Sequence, residues 1–301
     1  MRALISIFGT LLLLLSSAVV THAQKVINQP DLARGSQLIF YYDTRQGFTT
    51  FVNIQNFGND TLKIRLGLWG PTLNGDLSTT FDLAGGAVRV LDIGSFKGSG
   101  LPAQQGIAVA SILNEQNLPI HNRVLQGNFT VANLATGSAW GSPAVGRNAR
   151  DFMGNEPPSG TVVDGVSTTY QIIQPDALVL ATYYNPQTLA PVADHGNQLI
   201  FVNFLDGLGD GIGFSAPLTP ASTNWLFFVR RGADGTASST QVEATGITER
   251  DLVSVIGAEA NGTPGGGGFV RGDGTKNANR FIFFVQSLGT FGTGYLLPPI
   301  E

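Results

Sequence analysis

The chain has no cysteine among its 301 residues, so disulfide scaffolds and thiolate metal sites are excluded. It is also poor in charge. Charged residues make up 13% of it, against about 25% in an average soluble domain. Seventeen Lys and Arg face 21 Asp and Glu, giving a net charge of −4. That balance argues against a nucleic-acid partner, which needs a basic surface. The only adjacent basic pair after the N-terminal region is Arg230-Arg231. Three histidines leave little room for general acid–base chemistry. After the N-terminal region no apolar run is long enough for a transmembrane helix. Uneven strand-like runs and long Gly-rich gaps also argue against an outer-membrane barrel.

What the chain does have is glycine and aromatic residues: 39 Gly and 19 Phe within a 43% hydrophobic composition. The first 23 residues read as a secretory signal peptide. Arg2 gives the positive start, Leu11 to Leu15 the apolar core, and Thr21-His22-Ala23 the small-residue exit, with cleavage expected after Ala23. Export, few lysines and no cysteine together suggest a bacterial exported protein, located in the periplasm, on the cell surface or outside the cell.

The rest reads as strand and turn. Period-2 alternation with β-branched and aromatic enrichment predicts strands at 37–42, 48–55, 61–69, 79–83, 87–93 and 107–113. In the third run Leu62, Ile64, Leu66 and Leu68 face one way, and Lys63 and Arg65 the other. Asn74-Gly75-Asp76 is expected as a turn. Further strands are expected at 127–133, 171–173, 177–184, 197–205, 224–230, 240–244, 279–285 and 294–297. Residues 137–168 read as a long functional loop or as a loop hiding a short helix near 146–153. Residues 248–256 fit either a helical turn capped by Thr248 or a strand from Leu252. The expected fold class is all-β: an antiparallel β-sandwich architecture in two β domains, 24–120 and 121–301, with long Gly-rich loops. Gly35-Ser-Gln-Leu-Ile-Phe40 echoes Gly196-Asn-Gln-Leu-Ile-Phe201. Either a duplicated β-domain or the general likeness of aromatic strands explains it.

Motifs for chemistry are sparse. His121 sits at the expected domain joint and His195 in a turn. Ser99 lies between glycines but lacks a nucleophile elbow. No catalytic residue is assigned, and no cofactor. Asp206 and Asp210, on a Gly-rich loop, are the best oxygen ligands for calcium, although a plain hairpin turn is the favoured explanation. Arg271-Gly272-Asp273 spells an adhesion tripeptide and is expected to be exposed after Pro264 to Gly268. Trp140, in an expected loop, and the pairs Tyr41-Tyr42 and Tyr183-Tyr184 could stack on sugars; they and Trp69 and Trp225 could equally pack cores. The leading expectation is a structural envelope or surface protein without catalysis, its partners further copies or other envelope components. A carbohydrate- or ligand-binding module that takes glycans is the alternative, and a secreted hydrolase the second.

Overall fold

The computed structural model describes residues 34–173, 177–181, 197–205, 219–231, 236–256, 267–274, 278–288 and 291–297. All lie in one unit, Arg34–Glu301. The expected signal peptide, His195, Tyr183-Tyr184 and the calcium candidates Asp206 and Asp210 lie outside the described residues.

The described chain is all-β and antiparallel apart from one pairing. Its strands are β1 (Gln37–Asp43), β2 (Phe48–Asn56), β3 (Leu62–Gly70), β4 (Leu73–Leu83), β5 (Val88–Asp92), β6 (Gln105–Leu113), β7 (Leu125–Asn133) and β8 (Ser138–Pro143). Then come β9 (Val145–Arg147), β10 (Ala149–Asp151), β11 (Thr168–Tyr170), β12 (Ala177–Ala181), β13 (Asn197–Leu205) and β14 (Ser222–Arg231). The last are β15 (Thr236–Thr245), β16 (Ile247–Asp251), β17 (Gly267–Gly274), β18 (Ala278–Leu288) and β19 (Phe291–Leu296). A 3-10 segment, Ile93–Ser99, follows β5, and a five-residue helix α1, Leu252–Ile256, follows β16.

The strand orders repeat. One sheet runs β4-β3-β6-β1 with β9 on its edge, and another runs β15-β14-β17-β12. The eight-stranded sheet runs β5-β2-β7-β8 and then mirrors that order as β19-β18-β13-β16. The halves meet at β8 and β19, the one parallel pairing. Small details repeat as well. Asn56, fully buried, donates from Nδ2 to Leu83 O at 3.0 Å, and Asn203, also fully buried, donates to Ala244 O at 3.4 Å. Gly86 and Gly246, in the turns that follow β4 and β15, both take positive φ, which favours glycine. Ser95 Oγ donates to Asp92 O at 2.6 Å, and Ser254 Oγ to Asp251 O at 2.7 Å. The duplication is therefore one of topology. Its register differs from the Gln37 and Gln198 match, because β12 occupies the place of β1, whereas β13 occupies that of β2.

Pairing runs across residue 120. β2 pairs with β7 from Phe48↔Asn133 to Asn56↔Leu125, and β1 pairs with β9 at Gln37↔Arg147.

Alternation puts two cores on the eight-stranded sheet. Leu199, Phe201, Ile282 and Phe284 pack with Leu178, Trp225, Phe227 and Val270 of the β15-β14-β17-β12 sheet. The intervening residues Ile200, Val202, Phe281 and Phe283 are buried too, on the opposite face. There Phe283 meets Phe129 at 5.3 Å and Tyr41 of β1 at 6.5 Å. The β1 sheet and the β14 sheet thus cover opposite faces.

Several local expectations are corrected. Asn74-Gly75-Asp76 is no turn. Pairing jumps from Gly67↔Ser78 to Trp69↔Asn74, so Gly75, Asp76 and Leu77 oppose Leu68 alone, and Gly75 takes φ +88°. The turn signal marks a bulge. Residues 146–153 are not helical: β9 and β10 form there because their backbone groups find β1 and β11. Residues 171–173 form no strand, although Gln171 N donates to Asn148 O at 2.8 Å. Residues 248–256 combine both options in reverse order, strand first and helix from Leu252, because the strand pairs with β13 from Gln198↔Asp251 to Val202↔Ile247. Arg271-Gly272-Asp273 lies inside β17 and not on a loop tip: all three pair with β14 and Arg271 also with β12, while Arg271 and Asp273 are exposed as expected.

Candidate functional site: an uncovered sheet face and edge

The aromatic residues singled out above mostly pack inside. Tyr41, Tyr42 and Trp225 are fully buried and Trp69 nearly so. Trp140 lies on β8, half-buried, 5.5 Å from Phe129 and 5.7 Å from Tyr41. These rings form core contacts and not an open stacking platform. Burial, then the nearby Glu249 and Asp43 carboxylates, hold the Tyr41 hydroxyl well above its usual range.

Two polar clusters with catalytic residue types turn out to be fasteners. His121 is 3% exposed. Its Nδ1 lies 2.8 Å from Ser36 Oγ and accepts from Ala149 N at 3.4 Å, while its Nε2 reaches Glu156 Oε1 at 3.2 Å. Accepting at Nδ1 places the proton on Nε2, facing the carboxylate. The order resembles a Ser–His–Glu relay, but Ser36 is wholly buried and its Oγ also accepts from Asn122 N. No substrate atom reaches it, so the cluster ties β1 to the loops at 121 and 148. Burial lowers the His121 pKa, with Glu156 opposing. Neither Ser36 nor Glu156 was legible as a partner, because they lie 85 residues before His121 and 35 after it.

In the second cluster Arg45 bonds Asp43 at 2.6 Å and Glu249 at 3.1 Å. Tyr41 donates to Glu249 at 3.1 Å. The bond to Asp43 is the main cause that raises the Arg45 pKa. Arg45 bridges both carboxylates, and Glu249 links β16 to β1. Among the described residues no group of three or more His, Asp or Glu is placed to hold a metal ion. Nor, among them, is any helix long and apolar enough to cross a membrane.

Among the described residues, the eight-stranded sheet has one face without cover over β2, β7 and β5. Alternation in β2, β7 and β5 directs Phe51, Asn53, Gln55, Gln126, Asn128, Thr130, Val88 and Val90 to the face away from the β1 sheet. Register pairs Asn53 with Asn128 and Gln55 with Gln126. Asn53 Nδ2 donates to Asn128 Oδ1 at 2.6 Å. A depression of about 130 Å³ lies among Asn53, Gln55, Val88, Gln126 and Asn128. The face offers neutral donors and acceptors on strands about 4.8 Å apart. It runs out to β5, the end strand of the sheet, where Val88 and Val90 are 56% and 61% exposed. A larger open cavity of about 630 Å³ lies at the β3–β4 turn, around Thr72, Leu73 and Asp76.

The alternation of Asn53 and Gln55 with Val52 and Ile54 is visible in the sequence. What sequence reading missed is the cross-strand partners, since register alone brings residues 75 apart together.

No family model matches this chain, and no curated protein matches it. Among solved structures, a viral chemokine binding protein encoded by rodent gammaherpesvirus Peru aligns over 86% of this chain and 84% of that one, at 10% identity and a TM-score of 0.18, a likeness too slight to bear on fold or function.

Proposed function

We propose that the protein is an exported structural component of the cell envelope or surface that works by association and not by catalysis. The observation that carries this reading is the uncovered amide face ending in an open strand edge with two exposed valines. Exposed strand edges are association surfaces unless charge, proline or a bulge blunts them. The reading is supported further by the fate of the catalytic residue types. His121, Ser36, Asp43 and Glu249 direct their polar atoms at one another and at the backbone. Fractionation of the producing cells tests the proposal. Retention with the envelope, in particles larger than one chain, is the expected result. A discrete monomer in the culture fluid overturns it.

A second reading, a glycan-binding module, draws on the same face. Asn53, Gln55, Gln126 and Asn128 offer the neutral hydrogen-bonding groups that sugar hydroxyls match. Binding to a panel of envelope polysaccharides, lost in Asn53→Ala with Asn128→Ala, would favour it over assembly.

A further inference from the structure

We infer that β5 is a self-pairing edge, through which two copies of this chain join their eight-stranded sheets antiparallel about Val90. The inference rests on the association reading above and names its partner.

The backbone of β5 sets the geometry. Asn56 N donates to Ala87 O at 3.0 Å. In an antiparallel pair, hydrogen-bonded and non-bonded positions alternate. Ile54↔Arg89 and Val52↔Leu91 are then bonded positions, and Gln55↔Val88, Asn53↔Val90 and Phe51↔Asp92 are not. The N–H and C=O groups of Val88, Val90 and Asp92 therefore point away from β2, into the open edge, where the Asp92 carbonyl already accepts one bond, from Ser95 Oγ at 2.6 Å.

The usual guards of an edge are turned aside. β5 contains no proline or lysine, and its two charged residues are engaged within the fold. The Arg89 guanidinium stacks over Phe81 at 4.5 Å, on the other face of the sheet. Asp92 Oδ1 accepts from Thr49 Oγ1 and from Gly94 N, both at 2.8 Å. Among the described residues, what remains at the rim is Val88 and Val90, whose outward N–H and C=O groups meet no strand.

A second copy fits this edge better than an unrelated strand because one register satisfies both chains. Outward groups at 88, 90 and 92 allow a two-fold at Val90, at Arg89 or at Leu91, and only Val90 uses all three, because a two-fold at Leu91 sets Val88 against Gly94 of the 3-10 segment. A two-fold at Arg89 sets two guanidinium groups directly opposite, which is unfavourable. A two-fold at Val90 sets Val90 against its twin, Val88 against Asp92, and Arg89 against Leu91. The molecule already contains an edge-to-edge join, a parallel one, since its own four-stranded halves meet at β8 and β19. Their other edges are β5 and β16. β16 carries exposed Arg250 and Asp251 and leads into α1, whereas β5 presents valines. A five-residue strand buries less than the roughly 1,200–2,000 Å² of a standard interface, so the dimer is weak and forms where chains are concentrated.

The experiment uses the purified full chain. Sedimentation velocity over a concentration series should show a monomer–dimer equilibrium. Val90→Lys should raise its dissociation constant about 10-fold, by replacing a valine contact with two ammonium groups that face each other across the pair. Val166→Lys, at an 84% exposed valine elsewhere, should leave it unchanged. In a chain without cysteine, Val90→Cys should cross-link to itself on mild oxidation and Asp92→Cys should not. Circular dichroism confirms that each variant is folded. A wild-type chain that stays monomeric to millimolar concentration overturns the inference, as does a Val90→Lys variant that dimerises like wild type. If wild-type and Val90→Lys chains are equally retained by the envelope, the edge is wrong while the structural reading stands. Dimerisation through Val90 by a protein found free as monomer in the culture fluid gives the reverse result.

Discussion

Aligned on Asn56 and Asn203, the two halves of the eight-stranded sheet carry opposite chemistry at the same positions. In the first half the outward pairs are Asn53–Asn128 and Gln55–Gln126; in the second they are Ile200–Phe283 and Val202–Phe281. The backbone register is the same and the exposure is not. The second-half residues are almost completely buried, beneath Tyr41 and Phe129, whereas the first-half amides line a surface depression. Identical topology thus does not specify which face is wet. The side chains do, by what else lands on them.

The largest test exchanges one position. Ile200→Asn buries an amide where no partner waits, losing an isoleucine as well. It should cost about 4–6 kcal/mol, read by urea denaturation. The reverse change, Asn53→Ile, should stay within about 1 kcal/mol and lower solubility instead. Equal losses at the two positions would break the comparison.

The capping asparagines sharpen it. Asn56 donates to Asp60 O at 2.8 Å and Leu83 O at 3.0 Å, and accepts from Gly58 N at 2.8 Å. Asn203 makes longer bonds, 3.4 Å to Ala244 O and 3.3 Å to Gly246 O. Asn56→Ala should therefore cost about 2 to 3 kcal/mol and Asn203→Ala about 1 to 2 kcal/mol.

The His121 cluster belongs to the connection between β6 and β7 and gives the first half a pH dependence. With its folded pKa below the usual 6.5, native His121 binds a proton less readily than unfolded His121. Stability should therefore fall as pH drops below about 6.5 and stop falling, for this group, once the folded pKa is passed. His121→Gln should remove that component from the difference between denaturation curves at pH 7.5 and pH 5. The smallest effect is expected at the amide pair. Asn128→Ala deletes one exposed side-chain bond and should change stability by less than about 0.5 kcal/mol.

Much of the fold was legible because alternation survives wherever one face is buried. The strand 197–205 was read to the residue, and 37–42, 48–55 and 279–285 nearly so. Failures came where a local signal served another end. Asn74-Gly75-Asp76 reads as a turn, yet Gly75's positive φ builds a bulge. Trp140 reads as a loop residue among glycines, yet Gly141 and Gly294 are small because strands press close there. A Cβ on Gly294 would lie 2.7 Å from the Trp140 ring. The six-residue echo at Gly35 and Gly196 followed aromatic composition, while the repeat that matters is carried by a buried amide and a turn glycine. The amide face was the least legible, because its four residues come from two strands about 75 positions apart.

The seam between β8 and β19 also orders events in time. The strands of the first half, from Gln37 to Pro143, leave the ribosome early and contain nearly all their own pairing partners. The strand that meets Ala139 of β8 begins at Phe291, about 150 residues later. Contacts so distant in sequence form late. The middle of the eight-stranded sheet is therefore expected to close late in folding, and until it does β8 is an open edge like β5.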